Sequence, residues 1–185
     1  VYFHRVTRVT EVMLSRAVER SSDQMPDSVD LQRRVDAEIW EALGNSSDYA
    51  RDMIRRLKYR QLLKVCASRR REELSEAQVK QLFELATNAD SRRQFEDDMA
   101  HRAGVPPGYV AVDFPDAKLL LAEPRMSQVD VRIMGDDGRT RWFREHTPIA
   151  EALRTRQVSQ SAVYVITLPG HESTVAQLAE RHLFG

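Results

Sequence analysis

The sequence predicts an α+β fold, helical first and sheet-forming afterwards. Three observations carry this expectation. Apolar residues before about residue 104 recur at spacings of three and four. After about residue 105 short β-branched and aromatic runs take over, and turn residues such as Asp136-Asp137-Gly138 punctuate them. The expected organisation is a mainly helical part over 1–104, with three to five helices and one strand near 59–66. A small mixed or antiparallel sheet with two short helices follows over 105–185.

Element by element, Val6, Val9, Met13 and Ala17 place an apolar stripe on a helix running to about Arg20. Ser21-Ser22-Asp23 and Pro26-Asp27 make a loop. Leu31, Val35, Ile39, Trp40 and Leu43 mark a second amphipathic helix, with Gly44 in the stop position. Ser46 or Ser47 caps a third helix through Tyr49, Met53, Ile54 and Leu57. From residue 59 to 66 the pattern alternates. Tyr59, Gln61, Leu63 and Val65 fall on one side, and Arg60, Leu62, Lys64 and Cys66 on the other, which reads as a strand closed by a loop at Arg69-Arg70-Arg71.

Ser75 and Gln78 have capping-box spacing and open a helix through Leu85. Asn88-Ala89-Asp90 breaks it, and Ser91 starts another that ends at Gly104, before Pro106-Pro107. Strands are expected over 109–114, 129–134 and 139–144, the last two joined by the Asp136-Asp137-Gly138 turn. A short helix over 147–153 with Pro148 at its start, an apolar strand over 162–168 and a helix over 173–183 complete the chain.

Composition bounds the function. Hydrophobic residues make up 42% of the 185 and charged residues 30%, a soluble globular balance rather than a disordered one. No apolar run approaches the roughly 18–20 residues of a membrane span, so no membrane partner is expected. Cys66 is the single cysteine, which excludes an intramolecular disulfide framework and a cysteine-based zinc site and fits a reducing cytoplasm. Val1 opens the chain inside a helical pattern, with no initiator Met and no secretory segment, as expected of a piece cut from a longer chain.

The net charge is zero, but segment 51–71 holds nine basic residues against Asp52 alone, a local +8. Such a concentration points to an anionic partner at one place, although a solvated helix face would carry the same pattern. Two cationic sets stand out. On the first helix His4, Arg5 and Arg8 lie three or four residues apart, where exposed backbone amides would add to the attraction for a phosphate. An ordinary exposed first turn would look alike. Arg60 and Lys64 share a face of the expected strand with Leu62 between them, charge for phosphates and apolar surface for a base; an edge strand guarded by charges gives the same pattern.

Self-contained chemistry is not visible. His4, His101, His146, His171 and His182 show no metal-ligand spacing, and none is followed directly by Asp. There is no glycine-rich phosphate loop and no nucleophile elbow. No catalytic residue, metal ligand or bound cofactor is therefore expected in this chain, which reads as a binding or regulatory part.

Several short segments, in matching order, carry a family resemblance. Val1-Tyr2-Phe3-His4-Arg5-Val6-Thr7-Arg8, followed by Glu11-Val12-Met13-Leu14, resembles the Tyr-x-His-Lys/Arg-x-x-Asn/Arg segment of HD-domain phosphohydrolases. Residues 37–43 and then Arg56-Leu57-Lys58-Tyr59-Arg60-Gln61-Leu62-Leu63-Lys64-Val65 are similar to that family's helix pair and its Tyr-Arg-x-Leu-x-Lys strand. Residues 109–114 and the neighbourhood of Val158-Ser159-Gln160 are similar to its C-terminal region. The branch resembled is that of the sterile-alpha-motif and HD-domain deoxynucleotide triphosphohydrolases and their bacterial relatives.

The resemblance implies the C-terminal half of such an enzyme without its HD core, because the family's metal-holding His-Asp pair is absent. The parent would hydrolyse deoxynucleoside triphosphates to deoxynucleoside and triphosphate with a divalent metal of the Mn, Mg or Fe type. Tyr2 matches a residue beside the substrate sugar. Phe3 stands next to it in the pocket wall, where vertebrate members have glutamine. His4 and Arg5 match contacts to an activating nucleotide at a subunit boundary, with Arg8 replacing an asparagine nearby. Arg60, Leu62 and Lys64 match residues that receive a guanine nucleotide from an adjacent subunit.

The implied partners are further copies of the chain, as a dimer or tetramer, and a guanine or deoxynucleotide effector. Without the HD core, Val6, Val9 or Met13 is expected to be uncovered. The alternative expectation is a nucleic-acid-binding module built on segment 51–71.

Overall fold

The computed structural model describes residues 5–24, 33–115, 132–134, 138–142 and 161–185. In chain order its elements are α1 (Arg5–Glu19), α2 (Asp36–Asn45), α3 (Asp48–Lys58), β1 (Lys64–Arg70), α4 (Glu76–Thr87) and α5 (Ala89–Ala103). They continue with β2 (Val110–Asp113), β3 (Arg132–Met134), β4 (Thr140–Trp142), β5 (Ser161–Thr167) and α6 (Glu172–His182). Single 3-10 turns lie at Ser22–Gln24 and Arg71–Glu73. The expected α+β class is the one that forms.

Strand β5 explains the layering. Val163 and Val165 alternate with Tyr164 and Ile166, and all four are buried. A strand that is apolar on both sides must be covered on both sides. It lies at the centre of an antiparallel sheet of order β1-β5-β2. On one face Val163, Val165, Val110 and Val112 pack with Leu82, Met99 and Val175 of α4, α5 and α6. On the other, Tyr164, Ile166 and Ala111 pack with Val9 and Met13 of α1, Leu43 of α2 and Met53 of α3. Met13 and Met53 are completely buried, each contributing about 1.5–3 kcal/mol of transfer free energy.

The expected division at residue 104 falls between α5 and β2, and the central sheet draws β1 from one side of it and β2 and β5 from the other. Strands β3 and β4 form a separate antiparallel pair.

Local sequence sets most boundaries. Ser47 caps α3 by accepting from the Ala50 amide, and Ser75 with Gln78 forms the expected capping box of α4. The Asn88 carboxamide accepts from both the Asp90 and Ser91 amides, so α5 begins at Ala89 and not at Ser91. Gly104, at φ 65°, closes α5 in the left-handed conformation that glycine tolerates. Gly44 does not stop α2, which continues to Asn45 and ends at Ser46.

One expectation is corrected. The strand placed near 59–66 lies at Lys64–Arg70, so Arg69 and Arg70 belong to the strand and not to a loop, and Arg60 is not in a strand at all. Of the first helix's apolar residues, Val6 is exposed, in line with the expectation that Val6, Val9 or Met13 is uncovered, while Val9 and Met13 are buried against α3 and the sheet. The expected helix over 147–153, and the parts of the expected strands over 129–131 and 143–144, lie outside the described residues, as do Asp136 and Asp137 of the expected turn.

Candidate functional site

The junction between α3 and β1 departs furthest from what its sequence would favour. Helix α3 ends in a Schellman arrangement, the Gln61 amide donating to the Arg56 carbonyl at 2.8 Å and the Arg60 amide to Leu57 at 3.2 Å. The residue at the left-handed position of this turn is usually glycine. Here it is Arg60, at φ 55°, the only described non-glycine residue with positive φ. A side chain in that conformation costs about 1–2 kcal/mol. Strain of this kind persists where something else requires the residue.

Around Arg60 the side chains face water. Tyr59, the C-cap of α3, is 64% exposed, and the Lys58 ammonium lies 5.8 Å from its ring centre. Lys64, the first residue of β1 opposite Thr167, is also exposed. Leu62 behaves differently: it is half-buried and packs on the core beneath α1 and α3. Arg60 and Lys64 therefore do not share a strand face with Leu62 between them. They flank a turn, with Leu62 turned partly inward.

Most of the basic segment is neutralised locally. Arg51 pairs with Asp48, Arg55 and Arg56 with Asp52, Arg69 with Glu180, Arg70 with Glu72 and Glu73, and Arg71 with Glu76. Burial pushes the Asp52 carboxyl up, but hydrogen bonds from the Tyr109 hydroxyl and from Arg55 and Arg56 outweigh it and hold it at about 2. Of the nine cations, Lys58, Arg60 and Lys64 are left without an acidic partner among the described residues. The broad positive stripe suggested by the sequence contracts to three cations and one exposed ring.

The first cationic set is only partly described, since Tyr2, Phe3 and His4 lie outside the described residues. Arg5 is exposed. Arg8 is held by both carboxylate oxygens of Asp113, its Nε at 3.0 Å and a terminal nitrogen at 2.5 Å, with Glu11 on its other side. Burial pulls the Arg8 guanidinium down, but the Asp113 hydrogen bond and charge more than offset it and raise it. Its charge is committed to the fold, and it reaches Asp113 on β2.

A second charged cluster was not singled out by the sequence pattern. Arg16 donates to Glu96 at 2.7 Å and to the Val112 carbonyl at 3.1 Å, and Glu96 accepts from the Val112 amide at 2.8 Å. Glu19 bridges Arg16 and Arg92. Burial pushes the Glu96 carboxyl up against the pull of Arg16. Arg16 falls in register with Val9 and Met13 on the buried face of α1, and that placement was the available signal. Beside it, Asp97 receives Arg20 at 2.6 Å and the Gly108 amide at 3.0 Å, while Tyr49 donates to the Gly108 carbonyl at 2.8 Å. These contacts tie α1, α3 and α5 to β2 and are structural.

Burial pushes the Cys66 thiol up to about 12, so it is not a thiolate nucleophile at neutral pH. Among the described residues no group of three or more His, Cys, Asp or Glu side chains is placed to hold a metal ion. No described helix is long and apolar enough to cross a membrane. What the α3–β1 junction can do chemically is bind an anion that also offers a flat ring. A family model described as the HD associated region matches residues 1–184. No curated protein matches the chain.

Proposed function

The chain belongs to the HD associated region family, and on that premise we propose that it is the regulatory and oligomerisation part of a metal-dependent HD phosphohydrolase. In this reading an HD domain holds the divalent metal and hydrolyses deoxynucleoside triphosphates to deoxynucleoside and triphosphate. The present chain supplies nucleotide-responsive subunit contacts and has no activity alone. Tyr2 and Phe3 would form a wall of the substrate pocket, and His4, Arg5, Arg60 and Lys64 would meet an effector nucleotide between subunits of a cytoplasmic dimer or tetramer.

The observation that carries the reading is Arg60: an arginine kept in a strained glycine position, beside two further cations with no acidic partner among the described residues. Arg8 is taken up by Asp113 and Leu62 by the core, so neither is assigned a direct contact to the nucleotide.

A nucleic-acid-binding surface along 51–71 is disfavoured by the ion pairs that occupy six of its nine cations. Titration of the full-length protein with GTP and with a single-stranded oligonucleotide, each at two salt concentrations, separates the readings. Saturable GTP binding, with oligonucleotide binding weak and lost at the higher salt, supports the nucleotide site. Tight oligonucleotide binding with no GTP binding would replace it with the nucleic-acid reading.

A further inference from the structure

Of the large apolar side chains exposed among the described residues, namely Val6, Val35, Tyr59 and Met134, Tyr59 is the aromatic one. In the chain it lies between Lys58 and Arg60. Lys58 lies against its ring at 5.8 Å. Its hydroxyl has no hydrogen-bond partner among the described residues, unlike Tyr49 and Tyr109, whose hydroxyls are tied to Gly108 and Asp52. Those two rings are packed edge to face at 5.3 Å and serve the fold. The Tyr59 ring serves no packing of that kind, and the backbone bonds that force Arg60 into its left-handed conformation also fix the direction in which Tyr59 leaves the helix.

We infer that Tyr59 is the base platform of the nucleotide site proposed at this junction, with Lys58, Arg60 and Lys64 as its phosphate-binding cations. The inference rests on that reading of the site and adds the residue that distinguishes a nucleotide from a bare polyphosphate. Leu62 was the sequence's candidate for apolar contact with a base, but its partial burial in the core leaves less surface to offer. An exposed tyrosine presents a whole ring face, and stacking on it tolerates any base. The Lys58 ammonium on one side of the ring leaves the other for the base, and the phosphates lie toward Arg60 and Lys64. The ligand class is a nucleoside triphosphate, for which ring and charges are both used.

The test is calorimetric binding of GTP and of inorganic tripolyphosphate to the full-length protein and to its Tyr59→Ala, Tyr59→Phe and Arg60→Ala variants. Tyr59→Ala is expected to weaken GTP about tenfold, the loss of one stacked base, while tripolyphosphate stays within twofold of wild type. Tyr59→Phe, which keeps the ring, is expected to bind GTP within twofold of wild type. Tyr59→Ala binding GTP like wild type, or Tyr59→Phe as weak as Tyr59→Ala, overturns the platform while leaving the anion site intact if Arg60→Ala weakens both ligands. Arg60→Ala leaving both ligands unaffected removes the site itself, and the platform with it.

Discussion

Arg16 and Glu96 close the outer edge of β2 as a neighbouring strand would. The Arg16 guanidinium donates to the Val112 carbonyl, the Glu96 carboxylate accepts from the Val112 amide, and the two side chains pair with each other at 2.7 Å. Exposed edge strands invite pairing with other chains. This one is terminated by an ion pair that also anchors α1, the helix carrying Arg5 and Arg8, to the sheet.

Removing one member of this pair breaks a buried ion pair and leaves the other with a weaker partner, Glu19 for Arg16 and the more distant Arg92 for Glu96. Glu96→Gln or Arg16→Met should therefore lower stability by about 3–5 kcal/mol, measured by urea denaturation. The double variant should lose less than the sum of the two single losses, because the residues act as a unit. Additive losses would show that the pair contributes nothing as a pair.

Asp52 gives the fold an acid dependence. Its carboxyl is held at about 2 in the folded chain, below its ordinary value of 3.8. A depressed carboxylate stabilises the fold above its unfolded pKa of about 3.9, and that contribution is lost as pH falls through the folded value. Asp52→Asn should thus be less stable than wild type at pH 7, with the gap closing between about pH 4 and pH 2. A gap that stays constant across that window contradicts the assignment.

Among the described glycines, Gly108 has the least freedom to change. A methyl there would lie 2.6 Å from a Tyr49 ring carbon and 2.9 Å from Arg20 Nε, at a φ of 86°. Gly108→Ala should cost about 2 kcal/mol or more by thermal denaturation, combining backbone strain with displacement of the ring. Gly138, also at positive φ but with nothing within 4 Å, should lose less on the same substitution.

The sequence showed the local features and missed those that depend on distant partners. Ser47, Ser75 with Gln78 and Gly104 were legible because a cap and its amide lie within a few residues. The apolar run of β5, expected over 162–168, was legible for the same reason. Arg8 and Asp113 are 105 residues apart and Arg16 and Glu96 are 80 apart, so no spacing rule could pair them. The strand near 59–66 was misplaced because the turn at its start has no glycine to mark it. Arg60 takes the left-handed conformation instead, and the real strand follows its pairing with β5. The proposed nucleotide site rests on that same missing signal, since an arginine in a glycine position is visible only once the backbone is known.

Arg60→Gly tests the account most directly, because it separates stability from binding at one residue. Glycine relieves the left-handed strain, so the substituted full-length protein should be as stable as wild type or more stable by up to about 1 kcal/mol. On the proposed function, GTP should nevertheless no longer stimulate triphosphate release by the variant. A variant that is equally stable and still responds to GTP like wild type would contradict the claim that this junction receives the nucleotide.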